Sequence, residues 1–287
     1  MRALAHILGD IKLAHTIFAL PYALISAHLA FDGNYEIKTL LLILGCMFFA
    51  RCGAMSFNRY VDARIDSANP RTQDRSIPSG LVKQNQMLAF VIISSILFVA
   101  CSFFLNLLCF ILSFPALFII LFYSYSKHFT IGTHTWLGLA LGIAPVGAWI
   151  AVRGAFDLGP IILSGAVILW VAGFDVIYAL QDIDFDKSEG IKSIPAKYGP
   201  AGALAIARLM HTGTLMLLAA FGIYFNLGVA YWVGCGITAL LLIVEHGLVK
   251  PADFSKVGYA FFTVNGIVSI LLLICVLIDR PYFITGG

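Results

Sequence analysis

Arg51-Cys52-Gly53-Ala54-Met55-Ser56-Phe57-Asn58-Arg59-Tyr60-Val61-Asp62-Ala63-Arg64-Ile65-Asp66 is the stretch that decides the fold, and after Asn69 it continues as Pro70-Arg71-Thr72-Gln73-Asp74-Arg75-Ser76-Ile77-Pro78-Ser79-Gly80. An apolar run over 39–50 leads straight into it, so it reads as the polar end of a membrane helix. Arg51, Asn58, Asp62 and Asp66 follow at spacings of seven, four and four, which puts them on one helical face with Arg51 deepest. A charged side chain facing lipid costs about 2.5–3.5 kcal/mol on insertion scales, so this face should line a protein cavity. Pro70 should end the helix, because the residue before a proline is driven out of the α region.

A second stretch repeats the design. In Asp175-Val176-Ile177-Tyr178-Ala179-Leu180-Gln181-Asp182-Ile183-Asp184-Phe185-Asp186, the residues Asp175, Tyr178, Asp182 and Asp186 are spaced three, four and four, again one helical face. The tails echo as well: Arg75-Ser76-Ile77-Pro78 follows the first cluster and Lys192-Ser193-Ile194-Pro195 the second. Two oxygen-ligand clusters, each followed by a cationic loop, suit a diphosphate held through Mg²⁺, a hard ion that keeps water and substrate phosphate in its shell.

The rest of the chain sets the surroundings. Of its 287 residues 60% are hydrophobic and 11% charged, with a mean hydropathy of +0.93. Soluble domains are roughly 45–50% apolar and 25% charged, so this is a polytopic membrane protein, all-α because lipid leaves backbone polar groups no other partner. Nine apolar segments have spanning length: 11–30, 39–58, 86–105, 107–126, 136–153, 160–181, 202–225, 229–249 and 257–278. They leave no long extramembrane region, so residues 1–287 read as one transmembrane domain with about nine helices around a central cavity. The apolar run after Arg2, His6 and Asp10 is as long as a span, which argues against a cleavable signal peptide.

Fourteen of the eighteen Lys and Arg fall on one side of these spans, against Lys38, Arg153 and Arg280 on the other, with Arg51 inside a span. The positive-inside rule then gives a cytoplasmic N-terminus and puts both acid clusters on the cytoplasmic side of the cell (inner) membrane. A net charge of +3 is too small to imply a nucleic-acid partner. The six cysteines lack metal-ligand spacing and read as packing residues. His28, His134, His211 and His246 also lack ligand spacing and read as structural; Glu245 reads as paired or interfacial, and Gly142 and Pro145 as packing or kink positions. Lys12 fits either a snorkelling lysine or a site cation, and Tyr123 with Lys127 fits either an aromatic belt or a site. A transporter's proton path would also use intramembrane acids, but nearer the bilayer midplane. The Asp-Gly-x2-Ala-Arg pattern of CDP-alcohol phosphotransferases is absent, since Val61-Asp62-Ala63-Arg64 lacks the Asp-Gly pair.

These residues resemble the UbiA superfamily of intramembrane aromatic prenyltransferases, most closely its 4-hydroxybenzoate polyprenyltransferase-like branch. The likeness rests on the nine spans, Asn58-x3-Asp62-x3-Asp66 with Arg71-Thr72 and Arg75, and Asp182-x3-Asp186. Arg51, Lys12 and Tyr123/Lys127 also match family positions. Arg59 departs from it, standing where many members have Asp, and Ser124 replaces a proline. The resemblance implies Mg²⁺-dependent transfer of a polyprenyl group from polyprenyl diphosphate to an aromatic acid in ubiquinone or menaquinone biosynthesis. The acceptor it implies is 4-hydroxybenzoate, with 1,4-dihydroxy-6-naphthoate or another aromatic acceptor as the alternative.

On this reading Asn58, Asp62 and Asp66 hold one metal, and Asp182 and Asp186 the other. Lys12, Arg71, Lys127 and Lys192 neutralise the leaving diphosphate. Tyr178 stabilises the allylic cation through its ring face, and Asp175 activates the acceptor or takes up its proton. Tyr123 lines the site, and Arg51 grips the acceptor carboxylate, with an ion pair to an Asp such as Asp175 as its alternative role. The prenyl tail lies in a groove open to the bilayer. The sequence carries no indication of oligomeric state.

Overall fold

The computed structural model describes residues 2–280, an all-helical bundle. Eight of its helices are long and apolar enough to cross a membrane, and a ninth crossing is completed only by counting a bent N-terminal pair as one. That pair is α1 (Arg2–Ile11), a tight 3₁₀ turn (Leu13–Phe18) and α2 (Leu20–Phe31), bent by 50°. The first span expected over 11–30 is therefore met by a bent pair and not by one continuous helix. Lys12 takes left-handed backbone angles (φ 47, ψ 65), which no continuous right-handed helix contains. Pro21 lies in the first turn of α2, where its missing N–H has no intrahelical acceptor to lose.

The later spans fall where the hydropathy puts them. They are α3 (Ile37–Ala68), α4 (Gln84–Leu105), α5 (Leu107–Phe129), α6 (Thr133–Arg153) and α7 (Leu158–Tyr178). A 3₁₀ turn (Ala179–Asp182) and the short α8 (Ile183–Ser188) follow, then α9 (Ile194–Tyr224), α10 (Val229–Leu248), a single turn α11 (Val257–Tyr259) and, after a π turn, α12 (Asn265–Asp279). As Pro70 requires, α3 ends at Ala68 with Asn69 extended (φ −95, ψ 118).

Large apolar side chains such as Phe104, Phe118, Leu209 and Val229 stay exposed, as a lipid-facing surface demands. The interior is packed by small residues and aromatic rings. A Cβ at Gly138 would sit 2.4 Å from the backbone oxygen of Ile168, so α6 and α7 approach as closely as only glycine allows. Ser164 clamps the same pair by donating to the Gly142 carbonyl, and Ser26 ties α2 to α6 by donating to the Pro145 carbonyl at 2.7 Å. Phe18, Tyr22, Trp170 and Phe174 form the aromatic centre, with Phe261 packed against it.

Polar groups close both ends. At one end Asn106 accepts from Cys109 N at 2.9 Å and donates to the Ile150 carbonyl at 2.8 Å. Asp279 there accepts from the N–H groups of Ala230 and Tyr231 at the start of α10. The opposite end gathers α1, the loop after α3, the end of α5, the start of α6 and the α8–α9 turn. Asp10 accepts from Ser76 N at 3.1 Å, and Lys192 N donates to the Lys127 carbonyl at 2.8 Å. Both acid clusters lie at this end.

Candidate active site

The first cluster keeps its helical face. Asp62 and Asp66 are buried, and Asn58 Nδ2 donates to Asp62 Oδ2 at 2.8 Å. Asp62 is also paired with Lys127 at 2.7 Å, and Asp66 with Arg75 at 2.6 Å. Arg59 is buried beside them and donates to Asn58 Oδ1 at 2.7 Å. The departure from an Asp at this position thus installs a cation, and it engages the oxygen through which Asn58 would bind a metal.

The second cluster is less regular than its spacing suggests. Asp175 and Tyr178 end α7, Asp182 sits in the 3₁₀ turn, and Asp186 lies in α8, so the four do not share one continuous helix. Arg71 crosses from the first loop and holds Asp182 with two bonds, Nε to Oδ1 at 2.9 Å and Nη2 to Oδ2 at 2.5 Å. It also donates to the Tyr178 hydroxyl at 3.0 Å. Partial burial works against its charge, but the hydrogen bonds and field of Asp182 and Tyr178 outweigh that and raise the Arg71 guanidinium above its ordinary value. Asn69 fixes the loop by accepting from Arg71 N at 2.9 Å. Asp186 accepts from Ser193 Oγ at 2.8 Å.

Each cluster therefore has a cation of the chain on at least one acid. Turned this way, no three His, Cys, Asp or Glu side chains among the described residues converge on a point that would hold a metal. Two carboxylate oxygens, Asp62 Oδ1 and Asp66 Oδ2, are nonetheless buried with no hydrogen-bond partner. Buried acceptors left unsatisfied are costly, and a hard cation is the natural partner for such oxygens.

Below the acids lies an apolar cavity of about 410 Å³. Arg51 and Tyr123 line it near the acid end, and it reaches Cys109 and Ala151 far from that end. Tyr123 to Cys109 is fourteen residues of α5, about 20 Å at 1.5 Å per residue. Arg51 donates to the Ile11 carbonyl, the last of α1, at 3.2 Å, while its Nε has no partner. The alternative ion pair with Asp175 is not formed; Asp175 is bonded to His134 at 2.7 Å.

Other expected site residues land differently. Lys12 is exposed at the break after α1. Lys192 directs its ammonium to the Phe129 carbonyl at 3.2 Å, satisfying the end of α5 rather than facing an acid. Tyr178 packs its ring 4.3 Å from that of Phe261, with the Arg71 guanidinium 5.4 Å from its own ring centre. His134, expected to be structural, stands at the site. No sequence spacing links it to a residue 41 positions away, and the usable signal was an ionisable side chain opening an apolar span. Glu245 is paired, accepting from Asn265 Nδ2 at 2.7 Å, and all six cysteines are free thiols.

The UbiA prenyltransferase family model matches residues 19–277. The chain belongs to this family. Membership makes it a multi-pass membrane enzyme of the prenyl-transferring class and sets aside the transporter alternative. Among UbiA relatives, a 4-hydroxybenzoate octaprenyltransferase of Neisseria meningitidis serogroup B is 31% identical over 245 residues, 82% of each chain. The apo structure of a UbiA homologue from Aeropyrum pernix K1 matches with a TM-score of 0.84 and 33% identity, over 93% of this chain and 98% of that one. A UbiA homologue from Archaeoglobus fulgidus, solved bound to GPP and Mg²⁺, shares the fold at a TM-score of 0.78 and 18% identity, over 96% and 99% of the two chains.

Proposed function

We propose that this enzyme transfers a polyprenyl group from polyprenyl diphosphate to the ring of 4-hydroxybenzoate in quinone biosynthesis. The observation that carries the reading is the juxtaposition of two acid clusters with an apolar cavity whose wall near them includes Arg51 and Tyr123. The relative named for octaprenyl transfer to 4-hydroxybenzoate supports the choice of acceptor and of a long tail.

The donor set fits Mg²⁺, being all oxygen and including the two unpartnered oxygens of Asp62 and Asp66. Asn58, Asp62 and Asp66 would hold one ion, with Arg59 sharing Asn58 Oδ1, and Asp182 and Asp186 would hold the other. When bound, Mg²⁺ neutralises the charge that develops on the departing diphosphate. Arg71 and Lys127, freed from Asp182 and Asp62, turn to the diphosphate, with Lys12 and Lys192 at the mouth. Tyr178 and Tyr123 offer ring faces to the allylic cation, and the tail lies along the apolar cavity. Arg51 binds the acceptor carboxylate through its planar fork. Asp175 accepts the proton that the ring carbon loses.

The site faces the cytoplasm with the N-terminus inside, a topology supported by the fourteen-to-three bias of basic residues. The testing experiment incubates membranes carrying the full chain with Mg²⁺ and labelled polyprenyl diphosphate. It offers 4-hydroxybenzoate and 1,4-dihydroxy-6-naphthoate in parallel. Labelled product and released diphosphate with 4-hydroxybenzoate are expected; product with the naphthoate alone would replace the acceptor assignment.

A further inference from the structure

We propose that His134 is a positioning residue that holds Asp175 ready to receive the ring proton, an inference that rests on Asp175 as the proton acceptor. His134 opens α6 and is 2% exposed. Its Nδ1 lies 2.7 Å from Asp175 Oδ2, and its Nε2 receives the backbone N–H of Ile194 at 3.3 Å. The second contact fixes the state of the ring. A backbone amide only donates, so Nε2 carries the lone pair and the proton sits on Nδ1, which donates to Asp175.

That arrangement fixes which ring nitrogen faces Asp175. A proton on Nε2 would set N–H against N–H and leave the first amide of α9 without an acceptor, one of the four such groups that every helix start presents. The carboxylate beside it is held by the Nδ1 contact. One Asp175 oxygen is held by the ring, and the side chain retains 22% exposure through which the other can be reached. Ser193, the residue before Ile194, donates to Asp186. The helix end that orients His134 is thus anchored to the second acid cluster, which ties the proton acceptor to the diphosphate subsite.

The step is balanced. The allylic C–O bond breaks with its electrons on the diphosphate, the new C–C bond forms at the ring carbon, and the ring proton passes to the free oxygen of Asp175. A ring tethered at both nitrogens removes the rotation that would carry the carboxylate out of reach.

The test uses the purified full chain with Mg²⁺, geranyl diphosphate and 4-hydroxybenzoate, the latter with hydrogen or deuterium at the reacting ring positions. His134→Phe should lower kcat about 10- to 100-fold, the loss typical when a group's orienting partner is removed, and leave both KM values within about twofold. It should also produce a ring-deuterium isotope effect larger than that of the native enzyme, because proton loss becomes slow. His134→Gln, whose amide can donate to Asp175 and accept from Ile194, should recover most of the turnover. His134→Asn, too short to reach both partners, is the second variant should the Phe form fail to fold, and should behave as expected for Phe. Native kcat in the Phe or Asn variant overturns the inference. So does a loss without an isotope effect that tracks a fall in melting temperature. Asp175→Asn separates the two layers: native turnover there overturns the proton-acceptor reading itself, whereas a collapse beside an unaffected His134→Phe overturns only the role of His134.

Discussion

Replacing Arg51 with methionine keeps most of the apolar stem and removes the guanidinium. In the folded chain that group makes one hydrogen bond, to the Ile11 carbonyl at 3.2 Å, and leaves Nε buried without a partner. Its contribution to stability is then small, about 1 kcal/mol for the single bond, partly offset because an unsatisfied donor disappears. Its contribution to acceptor binding should be larger. A hydrogen bond to a charged group is worth about 1.5–3 kcal/mol, which at 1.4 kcal/mol per decade raises the acceptor KM roughly 10- to 150-fold. The assay compares 4-hydroxybenzoate with phenol, which lacks the carboxylate, at saturating prenyl diphosphate, and records melting temperatures of both proteins in detergent. Arg51→Met should raise KM for the acid, leave KM for the diphosphate nearly unchanged and narrow the preference for acid over phenol. Arg51→Lys should fall between, since it keeps charge without the planar fork. An unchanged acceptor KM together with a large loss of thermal stability would refute the reasoning and make Arg51 a strut.

Asp62→Ala and Asp182→Ala should each abolish most turnover while inserting normally, and chelation of Mg²⁺ should do the same reversibly; near-native turnover in either purified variant would reject the two-cluster assignment. Cysteines introduced at the exposed Ser79 and Ser188, in a cysteine-free background, should resist an impermeant reagent in intact cells, and labelling at either would reject the cytoplasmic topology. Gly138→Val should destabilise the protein by about 1–3 kcal/mol or prevent folding, because its side chain meets the backbone of Ile168; a native melting temperature would contradict the close approach of α6 and α7. Asn265→Leu should cost about 1–3 kcal/mol by leaving buried Glu245 without its donor, while turnover per folded molecule is retained.

Much of this could be read in the chain. Period-four acids at the end of an apolar run announce a helix with one polar face, and α3 has that face. Pro70 marks its end, and Gly142 marks a contact. What escaped were features made by tertiary contact. Nothing local announces the break at Lys12, where no glycine or proline stands and the left-handed residue is a lysine. Lys192 looks like a phosphate cation in sequence, and nothing in the sequence shows that its ammonium also reaches the Phe129 carbonyl at the end of α5. The echo between Arg75-Ser76-Ile77-Pro78 and Lys192-Ser193-Ile194-Pro195 does not extend to structure: Ser76 faces the first helix, whereas Ser193 starts α9 and bonds Asp186. His134 and Asp175 meet only because α6 and α7 pack side by side, which spacing along a chain cannot express.

The pairing of Asp62 with Lys127, Asp66 with Arg75 and Asp182 with Arg71 bears on how the substrate is taken up. A divalent ion arriving alone would seize carboxylates and strand three partly exposed cations. A diphosphate arriving alone would draw those cations away and strand the carboxylates. Either arrival by itself carries an electrostatic penalty that the other cancels. On the proposed assignment, the affinities for metal and diphosphate should therefore be reciprocally coupled, each ligand raising the other's by the same factor. Titrating one at fixed levels of the other would read that factor directly, as a shared shift in two apparent dissociation constants.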